Sequence, residues 1–341
     1  MTSPAGRLRP APVPILTAAL WALLWSAACS PPADGPAVTA PDVRRALHLP
    51  AYRGTLEPRF ERAIARRDLV LEWVRIQGRG DQRIPALVCY RRDAPRLPAV
   101  LCMPGTPNRK EDLVQPQDLL WRLAGEGFFA ISVDRPYHGE RSGDPDLAIR
   151  RKGLGRVWGE YVYDLSRALD YAQSRPEVDA GRLGMLGLSL GGMEALMLGS
   201  LDERLDVAVS VGGQVSWAPV FEAGAWRLLF GGLDLTRQLI SNGASGTDAL
   251  AAFRARMPEL EVLDASRVAP LLAPRPLLLM TGEEDPYVGA AAARHTYEAA
   301  LPAYRAAGAA DRLDLWVEPG AGHGFTRAME ERAVAWLLRF M

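Results

Sequence analysis

From residue 68 to the C-terminus, short apolar runs alternate with longer stretches whose apolar positions recur every three or four residues. Residues 68–76 and 84–90 are strand-like, and the turn cluster Gly78-Arg79-Gly80-Asp81 between them predicts a hairpin. Residues 98–103 (PAVLCM) form a third apolar run that stops at Pro104-Gly105. Helical spacing follows over 112–124, then a strand over 128–133 (FFAISV). Tyr161, Leu165, Ala168 and Leu169 mark one side of a helix over 154–173. A strand over 182–186 leads into a helix over 190–199, and further strands are expected at 205–211 and 276–281. Residues 288–301 read as a helix, 313–317 as a strand and 327–340 as a closing helix. Near-continuous apolar strands separated by helices predict an α/β fold, a mostly parallel sheet covered on both faces. There is no internal repeat and no sign of a second core, so 68–341 is expected to be one domain. Within it, a stretch rich in Trp, Phe and Gly should form a lid at about 213–262.

Composition agrees with a large core: 48% of the 341 residues are hydrophobic and 23% charged. Forty basic residues balance forty acidic ones, and no basic run is interleaved with aromatics, which argues against a nucleic-acid partner. The first thirty residues differ in kind. Arg7 and Arg9 precede an uncharged run from Ile15 to Trp25, followed by Ser26-Ala27-Ala28-Cys29. A basic start, an apolar run and small residues predict an export signal over 1–29. The run is shorter than the roughly 20 residues a bilayer span needs. Ala27-Ala28-Cys29 resembles the end of a bacterial lipoprotein signal, with Cys29 as the lipidated residue and a membrane attachment as the consequence. Ser26 departs from the aliphatic residue usual there, and Ser26-Ala27-Ala28 also fits cleavage for soluble export. Ser30 is not the aspartate that retains such lipoproteins at the inner membrane, so a periplasmic or outer-membrane location is expected. Residues 30–67 are expected to be a tether and N-terminal extension.

The chemistry centres on Gly187-Leu188-Ser189-Leu190-Gly191, placed between a strand and a helix. Glycines at both ends allow a sharp turn that lifts the Ser189 hydroxyl above the sheet, at a helix N-terminus that favours negative charge. A serine hydroxyl needs a base, usually histidine. Of the four histidines, His323 in Gly322-His323-Gly324 follows the last strand, at the end of an open sheet where ligands bind. His138, in the loop DRPYHGER (134–141), suits a structural role at the rim; His48 lies before the sheet and His295 within a helix. The acid that orients the base is expected at Asp285, before Pro286, with Glu283 and Glu284 as weaker candidates.

Taken in order, Ser189, Gly282–Asp285–Val288 and Gly322-His323-Gly324 resemble the α/β-hydrolase superfamily from about residue 68 onward. DRPYHGER and the ending Gly322-His323-Gly324-Phe325 are most similar to its dienelactone-hydrolase-like and acetyl-esterase-like branches, and serine in place of cysteine points to esterase chemistry. The resemblance implies eight strands in the order 1-2-4-3-5-6-7-8. Cys89 and Cys102 would then lie two strands apart, about 9.6 Å, beyond the roughly 7 Å a disulfide spans, which predicts two free buried thiols. It also implies an oxyanion hole built from the Leu190 N–H and, from the loop Met103-Pro104-Gly105-Thr106, the Thr106 N–H; Pro104 stands where the family usually has histidine. Tyr137, Trp217 and Trp226 are candidates to line an apolar substrate pocket, although aromatics at such spacing more often fill a core. Neither HExxH nor paired CxxC is present, nor any phosphate or dinucleotide loop, so no metal or cofactor is expected. The implied activity is hydrolysis of a small-molecule carboxylic ester through an acyl-enzyme. A peptidase or acyltransferase of the same fold, or a non-catalytic envelope binding protein, are the alternatives.

Overall fold

The computed structural model describes residues 37–50, 54–94 and 96–341. The expected export signal, with Cys29, lies outside them. In chain order the elements begin with helix α1 (Ala40–Ala46) and strands β1 (Arg59–Arg66), β2 (Leu69–Gln77), β3 (Arg83–Arg91) and β4 (Leu97–Met103). Helix α2 (Leu119–Gly125), β5 (Phe129–Val133), α3 (Pro145–Lys152), α4 (Leu154–Ser174), β6 (Val178–Leu188), α5 (Leu190–Leu201) and β7 (Val207–Val211) follow. Six short helices come next: α6 (Trp217–Glu222), α7 (Trp226–Leu229), α8 (Asp234–Ser241), α9 (Gly246–Arg256), α10 (Glu259–Val262) and α11 (Ala265–Val268). The chain closes with β8 (Leu277–Gly282), α12 (Gly289–Ala306), β9 (Leu313–Glu318) and α13 (Arg327–Phe340).

The strands make one sheet in the order β1-β2-β3-β5-β4-β6-β7-β8-β9. Strands β4 through β9 pair in parallel, while the β1–β2, β2–β3 and β3–β5 pairings are antiparallel. Without β1 this is the expected eight-strand order. The sheet therefore has nine strands rather than eight, and it starts inside the segment expected to be a tether. Strand β1 escaped notice because it lacks an apolar alternation: its eight residues (RFERAIAR) are all exposed, and only its ladder to β2 defines it. The segment also contributes α1, whose Val43 is fully buried against the core.

Strand periodicity divides the core in two. On β3, Ile84, Ala86, Val88 and Tyr90 face one cluster while Leu87 and Cys89 face the other; on β4, Ala99, Leu101 and Met103 oppose Val100 and Cys102. Helices α4 and α5 cover the first face, and α2 and α13 the second. This is the two-layer cladding that near-continuous apolar strands require. Cys89 and Cys102 are free and buried, on β3 and β4 with β5 between them, as the strand order implied. Burial pushes the Cys89 thiol up to about 12 and raises Cys102 as well.

The helix expected over 112–124 is interrupted. A 3-10 turn over Lys110–Leu113 stops short of Pro116, and α2 begins only at Leu119, after Asp118 in a left-handed conformation. Proline lacks the N–H a helix interior needs and pushes its predecessor out of helical geometry.

Candidate active site

Strand β6 delivers Ser189 at the sheet's upper edge, and α5 begins at the next residue. Ser189 has φ 55° and ψ −119°, a conformation an L-residue adopts at a cost of about 1–3 kcal/mol. The turn closes because its glycines lack side chains. A Cβ on Gly187 would lie 2.0 Å from the Gly191 carbonyl oxygen, and one on Gly191 would lie 2.4 Å from that of Met103. The Ser189 N–H donates to the Val211 carbonyl at 2.7 Å, which ties the turn to β7.

His323 and Asp285 meet across two loops that follow β9 and β8. His323 Nδ1 lies 2.6 Å from Asp285 Oδ2. Asp285 Oδ1 accepts the backbone N–H groups of Tyr287 (2.8 Å) and Val288 (3.1 Å), and the Thr281 hydroxyl donates to Oδ2 at 3.3 Å. Burial alone would raise this carboxyl, but the His323 hydrogen bond and charge, with the two N–H groups, hold it below the usual carboxylate range. Since Asp285 accepts at Nδ1, the free lone pair of His323 is on Nε2. Among the described residues the bond to Asp285 is the only side-chain hydrogen bond His323 makes. Its ring packs on Tyr287 with centroids 4.7 Å apart. Gly212, immediately after Val211, has φ 55°, and a Cβ there would fall 3.1 Å from His323 Cε1 and 3.3 Å from Asp285 Oδ2. The same β7 terminus thus touches the imidazole and anchors the serine. Glu283 accepts the Gly320 N–H at 3.2 Å and does not replace Asp285.

The loop after β4 packs directly on the serine: a Cβ on Gly105 would lie 2.9 Å from that of Ser189. Thr106 is exposed beside it, and its N–H has no acceptor among the described residues. The Leu190 N–H, first in α5, has no intrahelical partner either. Both expected oxyanion donors are therefore adjacent to Ser189 and uncommitted.

What steadies this loop was not legible from its own residues. The Thr106 hydroxyl lies 2.9 Å from His138 Nε2, and His138 Nδ1 lies 3.0 Å from the Pro136 carbonyl. A carbonyl only accepts, so Nδ1 carries the proton and Thr106 donates to Nε2. Burial, with Arg135 nearby, lowers the His138 pKa to about 4, so the ring stays neutral. Lys110, at the loop's far end, is fully buried and bonds Asp134 (2.7 Å) and Glu140 (2.6 Å).

Arg135 and Glu194 were missed entirely. Arg135 donates to the Pro104 carbonyl (2.7 Å) and to Glu194 Oε2 (2.9 Å), and its Nε lies 2.9 Å from Glu194 Oε1 as an ion pair, both side chains being buried. The pair ties α5, behind Ser189, to the loop after β4. The signal was present: Glu194 is the one charged residue in LGGMEALMLGSL. Burial raises its carboxyl to about 7, against the opposing pull of Arg135. Glu194→Ala leaves a guanidinium buried without its partner, which costs about 3–5 kcal/mol. The denaturant midpoint is expected to fall accordingly, and an unchanged midpoint would remove the pair from this role.

Two of the three pocket candidates are corrected. Trp217 and Trp226 are buried in an aromatic cluster with Phe221, Phe230 and Phe253, so they lie in the core of the short-helix segment after β7 rather than in an open pocket wall. Six short helices cannot cover their apolar faces on the sheet alone, and the large rings pack together instead. Tyr137 is at the rim, half-buried, with its hydroxyl held by Glu160 and Lys152, each at 2.6 Å. His295, on α12, is bonded to Ser216 at 2.6 Å and makes no other side-chain hydrogen bond among the described residues. Among the described residues no group of three or more His, Cys, Asp or Glu could hold a metal ion.

Known proteins share this fold. Residues 99–339 match the profile described as "Alpha/beta hydrolase family". The chain is 28% identical over 291 residues, 81% of its length and 90% of the relative's, to "Putative hydrolase YtaP" of Bacillus subtilis (strain 168). Acetyl Xylan Esterase 1 from Thermoanaerobacterium sp. JW/SL YS485 superposes with TM-score 0.65 at 18% identity, covering 87% of this chain and 92% of that one. Methylesterase BT1017 gives TM-score 0.66 at 16% identity over 88% of this chain, which spans only 62% of the longer protein. With its strand order, its strained serine turn and the profile match over most of its length, the chain belongs to the alpha/beta hydrolase family.

Proposed function

We propose that the protein is a serine hydrolase of carboxylic esters that works through an acyl-enzyme, with Ser189, His323 and Asp285 as its catalytic residues. The observation that carries the reading is the 2.6 Å His323–Asp285 bond beside a serine held at positive φ. His323 Nε2 takes the Ser189 proton as the hydroxyl oxygen attacks the ester carbonyl. The oxygen of the tetrahedral intermediate is received by the N–H groups of Leu190 and Thr106, each such donor being worth roughly 2.7–4 kcal/mol. His323 then gives its proton to the departing alcohol, and Ser189 is left acylated. Water, deprotonated by the same nitrogen, attacks the acyl carbon and restores the serine. The solved structures of similar fold named as acetyl xylan esterase and methylesterase support ester over amide substrates.

A fluorophosphonate probe mimics the attacked ester and should label the protein once, on the peptide carrying Ser189, with loss of p-nitrophenyl acetate hydrolysis in proportion to labelling. A protein that turns over no short ester and takes no label would instead be a non-catalytic binding protein on this fold.

A further inference from the structure

A second concavity lies away from the triad. It is a cavity of about 430 Å³ between the α1 terminus, the β2–β3 turn and the first half of α4, and none of Ser189, Asp285 or His323 lines it. Four cationic side chains line it: Arg79, Arg151, Lys152 and Arg156. Its two carboxylates are already committed. Glu160 holds Lys152 (2.8 Å) and the Tyr137 hydroxyl (2.6 Å), and buried Asp164 is paired with Arg141. Arg79, Arg151 and Arg156 make no ion pair and no side-chain hydrogen bond with the described residues. In a chain of zero net charge, three uncompensated guanidinium groups at one cavity are a local surplus. Arg156 is also placed against its helix: it lies in the first turn of α4, where the dipole disfavours a cation. The terminus itself is not the attraction, because the Gly155 N–H already donates to Glu259 at 2.9 Å. All three side chains are exposed, so water solvates them in the free protein, and what the cavity adds is their convergence on one volume. A ligand carrying anionic oxygens would engage them together, since each guanidinium offers a planar fork that matches carboxylate or phosphate.

We propose that this cavity binds the carboxylate or phosphate of a sugar-sized ligand through Arg79, Arg151 and Arg156. Its volume is that of an ordinary small-molecule site. It also communicates with the catalytic rim. Lys152 on its wall holds Tyr137, the neighbouring His138 holds Thr106, and Thr106 carries an oxyanion N–H. By that chain of contacts an acidic unit seated here is offered as a second anchor for an ester substrate at Ser189, which rests on the esterase reading; the anion site itself does not.

Calorimetry on the full chain tests the site with cellobiuronate, inorganic phosphate and neutral cellobiose. Cellobiuronate is expected to bind once per chain and more weakly as salt rises, with cellobiose silent. Arg151→Ala/Arg156→Ala should weaken binding at least tenfold. Arg156→Ala alone should also melt higher than the parent in anion-free buffer, a shift opposite to that of a folding defect. Comparing kcat/KM for O-acetylated cellobiuronate and O-acetylated cellobiose locates the anion. A preference for the acidic ester that the double variant loses places it on the substrate. Phosphate binding without such a preference makes it a separate ligand. Equal binding of the acidic and neutral sugars, or unaltered anion binding in the double variant, overturns the site. Fluorophosphonate labelling of Ser189 reports on the esterase reading independently of these titrations.

Discussion

Ser189→Ala is expected to lower kcat for p-nitrophenyl acetate on the order of 10⁶-fold, to a residual rate that stays above the uncatalysed one. The residue that survives is set by what the substitution leaves in place: the Leu190 and Thr106 N–H groups and the imidazole of His323. The fold should tolerate the change, because the Ser189 N–H bond to Val211 and the Gly187–Gly191 contact involve only backbone. Alanine keeps the Cβ that makes φ 55° costly, so stability should move little, whereas Ser189→Gly relaxes the turn and should gain about 1 kcal/mol. Both variants should lose fluorophosphonate labelling. Alanine activity within tenfold of the parent would show that another nucleophile does the chemistry.

Asp285→Asn should cost about 10⁴-fold in kcat while changing the shape of the site hardly at all. The reason lies in the four donors around the carboxylate. Oδ1 accepts from Tyr287 and Val288, so an asparagine must keep its carbonyl oxygen there. Its amide nitrogen then faces His323 Nδ1 at the position Oδ2 now holds. Two N–H groups cannot bond each other, so the imidazole shifts its proton to Nε2, the atom that must be empty to receive the serine proton. Loss of rate without loss of Ser189 labelling competence at high pH, where hydroxide assists, is the expected pattern. A rate within a few-fold of the parent would show that Asp285 does not set the tautomer. The pair also has a pH signature. Because the folded Asp285 carboxyl titrates below its usual range, its stabilising contribution is complete above the ordinary carboxylate pKa and is lost as pH falls through the lower, folded value. Asp285→Asn should flatten that acid limb of the stability profile.

The local pattern of the chain determined a good deal. The near-continuous apolar runs of β3, β4, β5 and β8 and the helical stripe of α4 are each specified by residues adjacent in sequence. The glycines around Ser189 and His323 announce sharp turns in the same way, and the order Ser, Asp, His was readable because each sits just past a strand. Leu190 and Thr106 entered as candidate donors through the family resemblance rather than through spacing.

Only the tertiary structure decided the rest. Strand β1 has no buried face, so nothing in RFERAIAR marks it; a neighbour supplies its hydrogen bonds. Arg135 and Glu194 are 59 residues apart, and their pairing follows from α5 passing behind the loop that carries Pro104. Trp217 and Trp226 are core because the short helices after β7 pack on one another and on α4, a matter of which faces meet rather than of which residues are aromatic. The cationic cavity gathers Arg79 and Arg156 from a turn and a helix that no sequence window spans. Short-range pattern fixes which way a side chain points along its own element, but long-range packing alone fixes what it points at.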